Sequence, residues 1–137
     1  MAVVLDSSVT LAWLLPDEQD GEVDALGELL LTTSAIVPAI WPYEVGNALL
    51  VARRRARVTH ADISRFRRAL GMLPIEVDPV AAGVVLGAVA ELADRHDLTT
   101  CDAAYVELAM RRALPLATLD QRLRKVCASL RVKSLPR

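Results

Sequence analysis

The sequence predicts an α/β protein of one domain, with a mainly parallel central sheet of four to five short strands flanked by helices on both faces. Short apolar runs alternate with longer segments of helical periodicity, and no hairpin turn joins two adjacent strands. Strands that are joined by helices pair in parallel, and the helices then cover both faces of the sheet. The length of 137 residues suits a single domain, residues 1–137, with its own core.

The first strand is predicted at residues 2–5, and two helices follow it. Ser7 and Ser8 are good N-cap residues for the first helix, which Pro16 ends because proline lacks a backbone N–H. A second helix begins near Pro16, with acidic residues in its first turn as the helix dipole favours. It carries apolar residues at helical spacing as far as Leu30.

A second strand, residues 35–38, is also followed by two predicted helices. Pro42 suits the first turn of the first of them, whose valine, leucine and alanine residues share one face. Thr59 or Asp62 begins the other, which has arginines on its outer face. A third strand follows at residues 73–77.

The C-terminal part of the chain completes the alternation. A long helix is predicted to start at Asp78, and Thr100 is a plausible N-cap for the helix after it. Residues 114–119 form the next predicted strand, residues 120–130 a short basic helix, and residues 132–135 a last edge strand.

Charge is unevenly distributed along the chain, although the net charge is only −1. Residues 1–52 contain eight acidic residues and no Lys or Arg, whereas the remainder contains sixteen basic and nine acidic residues. The arginine clusters are Arg53–Arg55, Arg65 with Arg67 and Arg68, and Arg111–Arg112. Arginine suits contacts with phosphate, so these clusters could hold a nucleic-acid backbone, or they could simply be solvated helix surfaces.

The compartment is predicted from the cysteines and from the absence of a long apolar segment. Cys101 and Cys127 have no metal-ligand spacing and are too few for a disulfide framework, so we expect a reduced, cytoplasmic setting. The longest uncharged stretch, residues 29–43, is interrupted by two prolines and is too short to cross a bilayer as a helix. We therefore expect no membrane association.

Four acidic residues lie where they could form one site. Asp6 and Asp120 each follow a short apolar strand, which predicts a position at the carboxyl edge of the sheet, where open α/β folds bind ligands. Glu44 and Asp102 lie in the first turns of apolar helices. Clustered carboxylates need protons or a cation to offset their repulsion, and oxygen ligands suit Mg²⁺ or Mn²⁺. Neutral polar residues in the same segments are Ser8, Asn47 and Thr118.

Each of these acids could instead be only a helix cap or a first-turn acid that interacts with the helix dipole. Other chemistries lack their residues. His60 and His96 pair with neither cysteine in a zinc spacing, and no glycine-rich phosphate loop or G-x-S-x-G turn is present.

Four segments carry a family resemblance, in order and over nearly the whole chain. They are Asp6-Ser7-Ser8 with Leu11–Leu14, Pro42–Leu49, Leu98–Tyr105 and Thr118-Leu119-Asp120. In these segments the chain resembles the PIN-domain ribonucleases, most closely the VapC-type toxins of bacterial toxin–antitoxin pairs. The resemblance implies a PIN-like fold and an endoribonuclease that hydrolyses RNA phosphodiester bonds with Mg²⁺ or Mn²⁺.

The resemblance also implies roles for particular residues. Asp6 and Asp102 would coordinate the metal directly, and Glu44 and Asp120 would coordinate it or orient metal-bound water. Ser8, Asn47 and Thr118 would be supporting polar residues. Expected partners are the RNA substrate, an antitoxin that blocks the acidic site and a second copy of the chain in a homodimer. Trp13, Leu14, Leu26 and Leu30 could line an antitoxin groove, or they could be plain core residues.

Three alternatives remain open at this stage. The chain could be a PIN nuclease of RNA processing without an antitoxin, or a non-catalytic protein-binding module that retains the acids as helix caps. A phosphate-accepting receiver domain also gathers acids at a sheet edge. That class needs adjacent acids after the first strand, whereas Asp6 is followed by two serines.

Overall fold

The computed structural model describes residues 2–15 and 26–136, and its centre is a five-stranded parallel sheet. The strand order is β3-β2-β1-β4-β5, and every neighbouring pair is parallel. The predicted fold class is confirmed. The strands are β1 (Ala2–Leu5), β2 (Ser34–Val37), β3 (Ile75–Val77), β4 (Leu116–Ala117) and β5 (Ser134–Leu135).

Helices connect the strands on both faces of this sheet. They are α1 (Ser7–Leu14), α2 (Trp41–Arg54), α3 (His60–Gly71), α4 (residues 82–96), α5 (Thr100–Arg112) and α6 (Gln121–Ser129). From β1 to β3 the chain moves toward one edge of the sheet, and from β3 to β5 it moves toward the other. Because crossovers between parallel strands are right-handed, the helices before β3 cover one face and those after it cover the other.

The core between these layers is aliphatic, as the composition predicts. The three strand residues Val3, Val4 and Leu5 are buried, and the fully buried leucines include Leu108 and Leu116. Burial on both faces explains why β1 is an uninterrupted apolar run rather than an alternating one.

Several predicted boundaries are wrong by a few residues. The strands after residue 70 are shorter than predicted, since β4 consists of Leu116–Ala117 alone. Helix α5 is capped by Thr99 rather than by Thr100. Helix α1 begins at Ser7, and Asp6 rather than Ser7 or Ser8 occupies its N-cap position. The helix predicted near Pro16 lies largely outside the described residues. Its last part, residues 26–29, is described and is helical.

The predicted helix start at Asp78 is wrong. Helix α4 begins four residues later and consists of Ala82–Val84, a π-helical segment Val85–Val89, and Ala90–His96. Asp78 is instead buried beside two arginines of α5, with Arg111 at 2.7 Å and Arg112 at 2.6 Å. The arginines hold the pKa of the Asp78 carboxyl below its ordinary value. Asp78 therefore joins β3 to α5 rather than opening a helix.

Across the described ranges, none of the helices combines the length and the hydropathy needed to span a bilayer.

Candidate active site

The candidate site lies at the carboxyl edge of the sheet, where the chain order reverses. Strands β1 and β4 are neighbours, and the chain leaves them toward opposite edges of the sheet. Such a reversal opens a crevice beyond the strand ends, because the following connections diverge. Asp6 directly follows β1, and its backbone N–H donates to the carbonyl of Ala117 in β4 at 2.9 Å. The two strand ends are thus fixed side by side below the crevice.

The carboxylate of Asp6 is held by two hydroxyl groups. Ser8 donates to Oδ2 at 2.7 Å, and Thr118 donates to the same oxygen at 2.6 Å. Each hydroxyl in turn accepts a backbone N–H at 3.0 Å, Ser8 from Leu119 and Thr118 from Asp120. Asp6 itself is buried, with 5% of its surface exposed. These contacts confirm that Ser8 and Thr118 lie against Asp6, and they lock one of its oxygens.

The other oxygen of Asp6 is much less engaged. Its contact with the Ser7 hydroxyl is 3.5 Å long, at the limit of a hydrogen bond. Burial raises the pKa of Asp6, and the carboxylates of Asp102 and Asp120 raise it further. Oδ1 is therefore the Asp6 atom available to a cationic ligand.

Asp6 and Asp120 both occupy N-cap positions but use their side chains differently. The Asp120 carboxylate accepts the backbone N–H groups of Arg122 and Leu123, at 2.8 and 3.3 Å through Oδ1. The Asp6 carboxylate makes no such bond to α1. The interpretation of Asp6 as only a helix cap is wrong, whereas Asp120 is a cap through Oδ1 and retains Oδ2.

Asp102 can be compared with a structural acid at the same helical position. Asp62 is the third residue of α3, and its carboxylate accepts a 2.8 Å hydrogen bond from the backbone N–H of Thr59, which completes a capping box. Asp102 is the third residue of α5, and its backbone N–H donates to Thr99 at 3.1 Å. No return bond to its carboxylate is found in the described part of the chain. The Asp102 carboxylate is thus left for another role.

Glu44 is positioned by a tyrosine that the sequence analysis did not single out. Tyr105 is fully buried, and its hydroxyl donates a hydrogen bond to Oε1 of Glu44. This contact joins α2, on one face of the sheet, to α5 on the other. Burial and the charges of Asp6 and Asp102 raise the pKa of Glu44, and the Tyr105 hydroxyl opposes that shift.

A signal for Tyr105 was present in the sequence. It lies three residues after Asp102, on the same side of an apolar helix, and a buried tyrosine needs a hydrogen-bond partner for its hydroxyl. Burial and the neighbouring carboxylates raise the Tyr105 pKa, so the hydroxyl remains a donor. Asn47, one turn after Glu44, is exposed, and no hydrogen bond joins it to the acids in the described chain.

The four acids influence one another through their charges, but they do not form a complete set of metal ligands. Asp6 interacts with Asp102 and Asp120, and Glu44 interacts with Asp6 and Asp102. Within residues 2–15 and 26–136, no three His, Cys, Asp or Glu side chains are grouped closely enough to hold a metal ion. The donor set still suits a hard divalent cation, because every candidate ligand is an oxygen and no Lys or Arg of the described ranges forms an ion pair with these acids.

Two of the arginine clusters are directed away from these acids or lie far from them. Arg111 and Arg112 bind Asp78, and Arg111 also contacts Glu107 at 2.8 Å. Arg54 lies ten residues after Glu44 on α2, about 15 Å away along the helix axis. These positions give no support to a role of Arg54, Arg111 or Arg112 in holding a nucleic-acid backbone beside the acids.

Comparison with known proteins gives a family match and a shared fold. A family model described as "PIN domain" matches residues 3–129. No curated protein matches the chain in sequence. PAE2754 from Pyrobaculum aerophilum is 24% identical with a TM-score of 0.71, over 98% of this chain and 84% of that one.

Two further solved structures share the fold at lower identity. FitAcB from Neisseria gonorrhoeae is 17% identical with a TM-score of 0.66, over 98% of this chain and 96% of that one. VapBC2 from Rickettsia felis, solved bound to a DNA fragment from its promoter, is 11% identical with a TM-score of 0.64, over 98% and 97% of the two chains.

Proposed function

This chain belongs to the PIN-domain family, and on that premise we propose that it is a Mg²⁺- or Mn²⁺-dependent endoribonuclease that acts as the toxin of a type II toxin–antitoxin pair. In this proposal the PIN domain comprises residues 1–137. Its catalytic and metal-binding residues are Asp6, Glu44, Asp102 and Asp120, with Ser8, Asn47 and Thr118 in support.

One observation carries the nuclease proposal. At the reversal point of the sheet, Asp6 and Asp102 have carboxylates that are not used for helix capping, although each occupies a position where a cap is ordinary. Asp6 is buried beside like charges, which is costly unless a ligand compensates. An arrangement that gives up capping bonds and accepts repulsion favours cation binding over a structural role.

The side chains would divide the work according to their contacts. Asp6, through Oδ1, and Asp102 would hold the metal, which supplies a lowered pKa for water and neutralises charge that develops on the phosphate. Glu44 has a raised pKa, Tyr105 holds its Oε1, and the Ser7 hydroxyl also interacts with its carboxylate. Its Oε2 would be suited to accept a proton from the attacking water. Asp120 would orient groups in the cleft through Oδ2 while Oδ1 caps α6.

The nuclease proposal is tested by cleavage of single-stranded RNA with Mn²⁺. Asp6→Asn and Asp102→Asn should each abolish cleavage and weaken Mn²⁺ binding, measured by calorimetry. Asp62→Asn is the matched control, because Asp62 occupies the same helical position as Asp102 but its carboxylate serves the capping box and an ion pair with Arg65. If the site variants bind Mn²⁺ and cleave RNA as an active wild type does, these acids are not the catalytic site and the proposal is wrong. If the wild type itself neither binds Mn²⁺ nor cleaves RNA, the chain is a non-catalytic module.

The antitoxin partner is proposed from the VapC-type resemblance and from the fold shared with FitAcB and VapBC2. The antitoxin partner is also supported by a hollow of about 300 Å³ that an apolar segment of a partner could fill. Its lining includes Trp13, Leu14, Leu30, Phe66 and Leu70. Leu26, also considered for such a groove, is buried in the core.

The toxin role is tested in cells. Expression of the chain should arrest growth, and co-expression of a small gene adjacent to it should relieve the arrest. Growth arrest that no adjacent gene relieves would favour an RNA-processing nuclease without an antitoxin.

We also propose a cytoplasmic homodimer, which exposed apolar side chains such as Met72 and Leu86 support. Its test is the mass measured by light scattering.

A further inference from the structure

Helix α6 presents basic side chains directly beside the acidic cleft. It begins at Asp120, and the backbone N–H of Arg122 donates to the Asp120 carboxylate at 2.8 Å. Arg122 and Lys125 are three residues apart, so they lie on one face of the helix, and both are exposed. The opposite face, with Leu123 and Cys127, is buried.

The surrounding sequence leaves this surface strongly positive. Residues 121–137 include six Lys or Arg residues and no Asp or Glu. Neither Arg122 nor Lys125 forms an ion pair among the described residues. Their charges are therefore available to an external anion.

Arg122 is also held in place at the mouth of the site. Its guanidinium donates to the backbone carbonyl of Asp97, a neutral acceptor in the turn between α4 and α5. That turn leads to Asp102, whereas the helix of Arg122 starts at Asp120. Arg122 thus bridges the two turns that carry these acids, and a guanidinium has five N–H donors, most of which remain free.

Several other arginines are engaged by other groups of the chain. Arg65 pairs with Asp62, and Arg111 pairs with Asp78. Arg124 donates to the carbonyls of Thr118 and Pro136, so it braces the sheet edge. Among the basic side chains in the described ranges, Arg122 combines a free charge with direct attachment to the site.

We propose that Arg122 and Lys125 form a phosphate-binding surface that holds the backbone of single-stranded RNA as it enters the acidic cleft; this proposal rests on the nuclease function proposed above. The acids alone repel a polyanion, so cations at the rim are needed to bring the chain close. Contacts of this kind fix the position of the backbone and carry no base specificity. They give the enzyme a sequence-independent grip beside the cleavage point.

The test is the salt dependence of RNA binding. Fluorescence anisotropy with a labelled single-stranded RNA, in EDTA to prevent cleavage, gives Kd between 50 and 200 mM salt. Each phosphate contact contributes about 0.7 to the slope of log K against log salt for single strands. The double variant Arg122→Gln/Lys125→Gln should reduce that slope by about 1.4 and weaken binding roughly tenfold or more at 0.1 M salt.

The control is Arg54→Gln/Arg55→Gln, which removes the same charge from the far end of α2 and should leave both quantities near wild-type values. Lys125→Gln alone, which removes no bond within the described chain, should reduce the slope by about 0.7 even if Arg122→Gln disturbs the fold.

Two outcomes separate this surface from the nuclease proposal. Equal effects in the two double variants, or no effect in either, would overturn the binding surface even if the wild type cleaves RNA. A wild type that binds RNA with the expected slopes but fails to cleave it with Mn²⁺ would overturn the nuclease and leave the binding surface standing.

Discussion

Replacing Tyr105 with phenylalanine isolates one hydrogen bond to the candidate site. Tyr105 is fully buried, and phenylalanine retains the ring and therefore the packing between α5 and the sheet. What is lost is the hydroxyl that donates to Glu44. The substitution therefore tests whether the position of Glu44 matters to the chemistry.

The size of the effect follows from the surroundings of Glu44. A hydrogen bond to a charged group contributes about 1.5–3 kcal/mol, and the partly exposed Glu44 carboxylate can recover some of this from water. We expect a net loss of about 1–2 kcal/mol, which corresponds to roughly 5- to 30-fold in RNA cleavage or Mn²⁺ affinity.

The pH dependence gives a second readout of the same bond. Burial and neighbouring carboxylates raise the pKa of Glu44, and donation from Tyr105 lowers it. Without the hydroxyl the pKa rises further, so Glu44 stays protonated to higher pH. The acidic limb of the cleavage profile should move to higher pH in Tyr105→Phe.

The assay has a close control in the neighbouring tyrosine. Tyr43 precedes Glu44 on α2 and is 75% exposed, so Tyr43→Phe should leave cleavage, Mn²⁺ affinity and the pH profile unchanged. The reasoning is refuted if Tyr105→Phe matches the wild type in all three measurements while folding normally, or if Tyr43→Phe changes them equally.

Three further substitutions test separate parts of the account. Asp6→Asn should stabilise the metal-free protein at neutral pH, because burial raises the pKa of the Asp6 carboxyl and the folded wild type loses stability as the pH rises through that pKa. Urea midpoints in EDTA at pH 4 and pH 7 should show that the variant's gain in stability grows with pH, and a variant less stable than the wild type at pH 7 would contradict this prediction. Asp78→Asn should lower the free energy of unfolding by about 2–3 kcal/mol. This is less than the roughly 3–5 kcal/mol usual for breaking a buried pair, because the side chains of Arg111 and Arg112 are 36% and 43% exposed. An unchanged urea midpoint would show that Asp78 does not stabilise the packing of β3 against α5. Thr118→Val should reduce cleavage about tenfold by removing a hydroxyl donor to Asp6 with little change of volume, and unaltered kinetics would mean that this donor is dispensable.

The sequence was sufficient for the sheet and for the position of Asp6 at the end of β1, because both depend on local pattern. An apolar run that ends at Asp6 predicts a buried strand and a residue at its carboxyl edge, and Thr118 and Ser8 are close to acids in sequence. It was insufficient where the outcome depends on partners that are distant in sequence. The Asp6 carboxylate, for example, accepts the hydroxyl of Thr118, which lies 112 positions away, and accepts no backbone N–H from the helix that follows it.

The same limit explains Asp78 and Tyr105. Asp-Pro is a common helix start, yet Asp78 binds two arginines more than thirty positions later, and this tertiary contact outweighs the local preference. The spacing of Tyr105 from Asp102 indicates a buried hydroxyl near the site, but its partner Glu44 lies 61 positions away and is identified only in the folded chain. Local pattern predicts which residues reach the edge of the sheet, and only the folded chain decides which of their atoms are free.

The most direct test of the central claim is the anomalous difference map of a crystal of the wild-type protein soaked with Mn²⁺. The account predicts a peak in the crevice beyond β1 and β4, within about 2.0–2.4 Å of Oδ1 of Asp6 and of a carboxylate oxygen of Asp102. Glu44 and Asp120 should line the same crevice. A crystal that binds Mn²⁺ elsewhere and shows no peak between Asp6 and Asp102 would contradict the claim that these acids form a metal centre.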